Sequence, residues 1–478
     1  MLALVLALAG CGETHGPAVD ASAGADGSTR PTDDGGVADD ESAIDGAARL
    51  ALPDEGRDTF YVPGTFADLD GDGFDDIVLV NTVNWGDAPP YHGGGFAILY
   101  GRADRSPPTA DELVEIRGPT HQTAGVWVAR GEYDGDGLDD VVIGIPGIGT
   151  DFGSLHVLYG ARTRLSGSIA IDDVAPALTW NGLVESPVSF PGPGTCAGDV
   201  DGDGRDDLLI AHPSYATAGG VAYLLLGSAA RWPGAVTADA TFTVPDLRSP
   251  YVAGGGDMDG DGHVDLVLGD RAPDGSESRF DLFYGPITLG THALDDADAH
   301  VATGGYSAFA GRDANGDGLA DLAVGDGTFG DGPVSGPMHV FLGSHTRLAG
   351  DVAPTAAPIT ISPLHEGDGL GMSFDVGDTD GDGAPDVLVA LPYADDRDGR
   401  MALLLGPLRS RSATDADRSW LGTSAALNGG HGAGVTIEGG AALGDFDGDG
   451  FDDVLLGGGL VGATTSIGAV YLAYGAAR

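Results

Sequence analysis

The chain runs to 478 residues with 83 Gly and 28 Pro, yet 42% of it is hydrophobic. That length exceeds one ordinary domain unless repeats extend it, and the composition suits many short strands joined by tight turns better than long helices or a disordered chain. Seventy-three acidic residues against 22 basic ones, all of them Arg, leave a net charge of −51, which argues against nucleic acid or an anionic membrane surface as a partner.

The first element is Met1–Gly10, an apolar run. It is shorter than the ~18 residues that span a bilayer and has the character of the hydrophobic region of an export signal. Leu8-Ala9-Gly10-Cys11 resembles the bacterial lipobox, so cleavage before Cys11 and lipidation of Cys11 are expected, with the chain held at the outer membrane or cell surface. No Lys or Arg precedes the run, which points to a true start codon upstream of Met1. Residues 11–46 are Gly, Ala, Ser, Asp and Thr with few large apolar side chains. Such a stretch cannot bury enough surface to offset its ordering entropy and reads as an acidic tether. The folded body is placed at 47–478, and its single cysteine, Cys196, reads as a small packed strand residue.

Within that body a nine-residue motif, Asp-x-Asp-Gly-Asp-Gly-x-x-Asp with small variations, occurs seven times, starting at Asp68, Glu132, Asp199, Asp257, Asp313, Asp378 and Asp445. The spacings are 64, 67, 58, 56, 65 and 67 residues. A second marker keeps the same beat: a short apolar segment ending in Gly101, Gly160, Gly227, Gly285, Gly343, Gly406 or Gly475. Each unit reads as four strands. One precedes the loop, as in 61–66, and one follows it as a continuous aliphatic run such as Ile77-Val-Leu-Val80 or Leu208-Leu-Ile210. Continuous rather than alternating hydrophobicity means burial on both faces. The Gly-terminated segment is the third strand, and the fourth follows a variable turn, at 113–116, 177–180, 241–244 and 359–361. Seven radial four-stranded units make an all-β, seven-bladed β-propeller. The seventh unit stops after its third strand, while Ala48-Arg-Leu-Ala-Leu52 precedes the first loop where a fourth strand would fall. The N-terminal strand is therefore expected to complete the last blade and close the ring, which removes two sheet edges.

In each loop, side chains at positions 1, 3, 5 and 9 and the backbone carbonyl at position 7 can converge on one centre, and hard oxygen ligands favour Ca²⁺. The candidate ligands are Asp68, Asp70, Asp72, Phe74 and Asp76 in the first loop, and Glu132, Asp134, Asp136, Leu138 and Asp140 in the second. They continue with Asp199, Asp201, Asp203, Arg205 and Asp207, then Asp257, Asp259, Asp261, His263 and Asp265. The fifth loop offers Asp313, Asn315, Asp317, Leu319 and Asp321, and Asn315 leaves it one carboxylate short. The sixth has Asp378, Asp380, Asp382, Ala384 and Asp386, and the seventh Asp445, Asp447, Asp449, Phe451 and Asp453. Up to seven Ca²⁺ are expected, one per blade, and glycine at position 6 suits the turn with positive φ around the ion. An EF-hand needs Glu at position 12, where this chain has Leu79, Ile143, Ile210, Leu268, Val324, Val389 and Leu456.

These residues resemble the FG-GAP repeat of the integrin α-subunit propeller and its bacterial relatives, over about residues 47–478. The resemblance implies that each loop sits in a blade hairpin and binds Ca²⁺. The elements that name the family are eroded to Gly144-Ile-Pro146, Ala211-His-Pro213 and Ala390-Leu-Pro392. No insertion between blades is long enough for an integrin I domain, so that mode of ligand binding is not carried over.

The function these features favour is an envelope-anchored, calcium-stabilised, monomeric scaffold for binding or adhesion to a protein or glycan, with no catalytic residue. The competing reading is a secreted propeller hydrolase or lyase with a site on one face. Against it, the sequence has no Gly-x-Ser-x-Gly, His-Glu-x-x-His or phosphate-cradling Gly-x-x-x-x-Gly-Lys. His156 and His339 hold the same place in two third strands and read as packed repeat residues, while His431 lies in a loop.

Overall fold

The computed structural model describes residues 47–50, 59–83, 95–106, 108–118, 127–145, 153–180, 194–212, 220–244, 249–271, 278–303, 307–325, 336–365, 367–371, 373–397, 399–424, 434–461 and 466–477. They form the expected seven-bladed β-propeller, almost without helix. Blade 1 shows the plan: Thr59–Ala67 runs up the inside, the loop follows, and Asp76–Val83, Gly95–Leu99 and Val114–Arg117 step outward as antiparallel neighbours. The innermost strands of successive blades touch all the way round, from Thr59–Ala67 against Trp127–Gly131 to Gly434–Gly444 back against Thr59–Ala67.

The second strands are buried on both sides because each lies between two interfaces. In blade 1, Val78 and Val80 pack toward blade 2, while Ile77 and Leu79 pack toward blade 7. In blade 3, Leu208 and Ile210 pack toward blade 2, and Leu209 and Ala211 toward blade 4. Seven apolar clusters result, one at each junction between blades. Each fully buried aliphatic or aromatic side chain stabilises the ring by about 1.5–3 kcal/mol.

The ring closes as the sequence predicted. Ala48–Arg49 pairs antiparallel with Ser466–Ala473, Ala48 opposite Leu472 and Arg49 opposite Tyr471, and the Leu50 N–H reaches the Val470 carbonyl at 2.8 Å.

Three features depart from the four-strand plan, one of them Thr423–Ser424, which pairs antiparallel with Gly434–Gly444 in blade 7. The outer edges of blades 1, 3, 4 and 5 each carry a fifth strand, parallel and supplied by the next blade: Ser168–Ala170, Gly290–Ala293, Gly350–Val352 and Arg411–Ser412. These strands are only two to four residues long, too short for any periodicity to announce them. The fourth strand expected at 177–180 is correspondingly reduced. Leu178 makes a single bridge to Leu155, and Thr179–Trp180 turns to pair in parallel with Ala235–Val236.

Candidate metal sites

The loops join the first and second strands of each blade, and both of their glycines are left-handed. At position 4, φ runs from 69° at Gly71 to 78° at Gly316; at position 6, from 79° at Gly137 to 87° at Gly73 and Gly318. The sequence reading assigned this need to position 6 alone. Position 4 has a second reason to be glycine, because the next blade packs on it. A Cβ on Gly381 would lie 1.9 Å from Phe451 Cε1, and one on Gly448 would lie 2.5 Å from Phe74 Cε1. Gly202 is different, with nothing within 4 Å. Gly202→Ala should therefore cost only the backbone penalty, about 1–2 kcal/mol. Gly381→Ala should cost about 1–3 kcal/mol more by overpacking. Urea midpoints of the two variants in Ca²⁺ decide this; equal losses would contradict the packing role.

The position 1 carboxylate organises the turn. Asp257 Oδ1 accepts the N–H groups of Gly260 (2.6 Å) and Asp261 (3.1 Å), and its Oδ2 accepts that of Gly262 (2.9 Å). Asp68 and Asp313 repeat the pattern. Candidate ligand oxygens converge in groups whose members all lie within 4.8 Å of one another: Asp68, Asp70 and Asp72; Glu132, Asp134 and Asp136; Asp199, Asp201 and Asp203; Asp257, Asp259 and Asp265; Asp378, Asp380 and Asp386. Asn315 turns its amide on its neighbour, Nδ2 donating to Asp317 Oδ2 at 3.0 Å.

Position 9 carries the strongest electrostatic signature. All seven aspartates are buried, and each carboxylate accepts two backbone N–H groups. Asp76 takes Leu69 N–H (3.1 Å) and Gly101 N–H (2.8 Å); Asp140 takes Tyr133 (2.9 Å) and Gly160 (2.8 Å). Asp207, Asp265, Asp321, Asp386 and Asp453 do the same with Val200 and Gly227, Met258 and Gly285, Ala314 and Gly343, Thr379 and Gly406, and Phe446 and Gly475. This bond is why the loop and the third-strand glycine recur in register: one carboxylate staples them together. Burial, reinforced by neighbouring loop carboxylates, pushes Asp76, Asp140, Asp207 and Asp453 up to about 8, Asp321 to about 7 and Asp265 to about 6. Crowded buried carboxylates of this kind call for a cation, and the oxygen donor set fits Ca²⁺.

Position 8 escaped the sequence reading. Where it is Asp, it clasps the preceding blade rather than joining its own loop. Asp139 Oδ2 accepts the Asp68 N–H at 2.7 Å, Asp206 that of Glu132 at 2.9 Å, Asp452 that of Asp378 at 2.7 Å and Asp75 that of Asp445 at 2.9 Å. The Asp-Asp doublets that end these loops were the available signal. Arg130 is built into this inner layer, its Nε 2.9 Å from Asp139 Oδ2, and burial pushes Asp206 to about 6 and Asp452 to about 7.

The residues named at position 7 offer backbone carbonyls as ligands, and their side chains serve the next junction. Leu138 lies over Gly71, Arg205 over Gly135 and Leu319 over Gly260. His156 is buried, its Nδ1 2.6 Å from the Ala175 carbonyl oxygen, and His339 is likewise buried. Cys11 and His431 lie outside the described residues.

The FG-GAP repeat family matches at residues 191–225, which take in the first three strands and the loop of blade 3. The chain is 27% identical to Integrin alpha pat-2 of Caenorhabditis elegans over 234 residues, covering 43% of this chain and 18% of that protein. It is 29% identical to Integrin alpha-PS2 of Drosophila melanogaster over 230 residues, 42% of this chain and 15% of that one. It is also 35% identical to Phosphatidylinositol-glycan-specific phospholipase D of Rattus norvegicus over 177 residues, 33% of this chain and 20% of that protein. The chain thus spans a fifth or less of the length of these relatives. It is a β-propeller that carries an FG-GAP repeat and is similar, over part of its length, to integrin α chains.

Proposed function

We propose that this chain is a calcium-stabilised propeller that acts as a non-enzymatic binding or adhesion scaffold for a protein or glycan, anchored at the bacterial envelope through a lipid on Cys11. The observation that carries this is the use made of the loops. Each position 9 carboxylate staples its own hairpin, and position 8 aspartates clasp neighbouring blades. The loops therefore serve the scaffold, and ligand recognition falls to the faces it holds. The likeness to integrin α chains supports the same reading.

Capture of envelope proteins and a glycan array, run on the mature chain with Ca²⁺ and with chelator, test the reading. It predicts a saturable partner in Ca²⁺ and no turnover in a parallel hydrolase screen. Turnover of any substrate would favour the enzyme reading, which the likeness to a phospholipase D keeps in play. The anchor is tested separately. A chain with two cysteines cannot both lipidate Cys11 and pair it with Cys196. The intact mass of the mature chain should show a lipidated N-terminal cysteine; a disulfide between the two cysteines would refute the anchor.

A further inference from the structure

The contacts that tie neighbouring blades at the loop end are not evenly distributed round the ring. In one, the N–H after the third-strand glycine donates to the position 2 carbonyl of the preceding blade. Ala161 reaches Leu69 (2.8 Å), Ser228 Tyr133 (2.8 Å), Ser344 Met258 (2.7 Å), Ala476 Thr379 (3.1 Å) and Arg102 Phe446 (3.0 Å). At the junctions of blades 3 with 4 and 5 with 6, that residue is Pro286 and Pro407, and proline has no N–H to give.

The second tie is the position 8 clasp, made by Asp75, Asp139, Asp206 and Asp452. At the same two junctions position 8 is Val264 and Pro385, without a carboxylate. The third is an arginine fork. Arg164, Arg231, Arg347 and Arg105 each pair with the position 3 and 5 carboxylates of the preceding blade's loop. Each also stacks on the tyrosine that precedes that blade's third-strand glycine: Tyr100 (4.8 Å), Tyr159 (4.5 Å), Tyr284 (4.8 Å) and Tyr474 (5.0 Å). At the two exceptional junctions the tyrosine is replaced by Leu226 and Leu342, and the arginine by Leu289 and Ser410.

Three chemically independent ties are thus missing at the same two places. Apolar side chains stand there instead. Leu226, Val264 and Ile287 pack on the core between blades 3 and 4, and Leu342 and Leu408 on that between blades 5 and 6. Gly202, the position 4 glycine with nothing packed on it, also belongs to the first of these junctions. Apolar contact is non-directional and tolerates sliding, whereas hydrogen bonds and ion pairs fix register. Between blades 4 and 5 position 8 is Ala320, so the carboxylate clasp is absent there too, but the Ser344 N–H and the Arg347 fork tie the junction. Between blades 6 and 7, where Leu405 stands in the tyrosine's place, the Ala476 N–H and the Asp452 clasp do so.

We propose that the loop end of the ring carries two built-in seams, between blades 3 and 4 and between blades 5 and 6. The loop ends of blades 4 and 5 then open as one leaf, while the parallel pairs of Ala240–Thr243 with Gly290–Ala293 and of Ile359–Ser362 with Arg411–Ser412 hold the outer edges. The inference does not depend on what the propeller binds. Local opening follows the density of directional contacts, so a seam opens more often than a tied junction without the ring losing its cores.

Hydrogen exchange followed by mass spectrometry on the intact chain in saturating Ca²⁺ tests this. Loop and inner-strand amides at the two seams should exchange on the order of tenfold faster than their counterparts at the other five junctions. Doubling the Ca²⁺ should leave that contrast unchanged. Restoring ties with Val264→Asp, Leu226→Tyr and Leu289→Arg should slow the first seam and leave the second as it was. Uniform exchange round the ring would overturn the proposal. So would a contrast that vanishes as Ca²⁺ is raised, or a folded triple variant whose first seam is no slower.

Discussion

Stripped of divalent ions with chelator, the protein should be more stable at pH 5 than at pH 8; in millimolar Ca²⁺ the trend should reverse. Asp76, Asp140, Asp207 and Asp453 are held at about 8 by burial, against an ordinary 3.8. Without a cation the folded state therefore binds more protons than the unfolded one. Stability is greatest below the unfolded value and is lost as pH rises from there through the folded values, a window of about 4 to 8. With Ca²⁺ the bound form requires deprotonated carboxylates, so raising the pH strengthens binding and with it the fold. At pH 7.5, chelation should lower the melting temperature on the order of 10 °C, given several weak extracellular-type sites linked to folding. Thermal melts across pH, with and without Ca²⁺, read both effects. A flat chelated profile would show that the buried carboxylates find neutralisation within the chain.

The second large effect is expected from position 9. In Asp140→Ala the N–H groups of Tyr133 and Gly160 lose their acceptor in a buried setting. Each buried N–H left without its acceptor costs about 1–3 kcal/mol, so the variant should lose roughly 2–6 kcal/mol. Asp136→Ala, at exposed position 5 of the same loop, removes a candidate ligand, the acceptor of the Leu138 N–H and an exposed arm of the Arg231 fork but no buried position 9 staple, and should cost much less in chelator. The pair therefore separates stapling from metal binding. With Ca²⁺ removed, Asp140→Ala should remain destabilised relative to wild type while Asp136→Ala approaches it. Equal losses in chelator would mean that position 9 acts only through the ion.

The architecture was legible because its two markers are mechanically joined. Asp76 cannot drift from Gly101, nor Asp453 from Gly475, without breaking the same hydrogen bond. The double-sided burial of the second strands was legible too, since each residue of Ile77–Val80 faces one of two cores. What could not be read was relational. Asp139 looks like one more loop acid, and only the juxtaposition of blades shows its carboxylate on the Asp68 backbone. Leu138 reads only as a backbone ligand of its own loop, and its side chain's role over Gly71 belongs to a neighbour about one repeat away. The parallel fifth strands are set by where one blade's connection meets another's edge. No local pattern in Ser168–Ala170 or Arg411–Ser412 encodes that meeting.

The account rests on the loops holding calcium, and equilibrium dialysis of the purified chain against millimolar Ca²⁺, with the metal counted per chain, tests that most directly. It predicts a stoichiometry approaching seven, with the loop carrying Asn315 the last to fill, and one ion fewer when Asp134 and Asp136 are both replaced by Ala. A count near zero, with the fold intact, would show these loops to be hydrogen-bonded aspartate turns without metal.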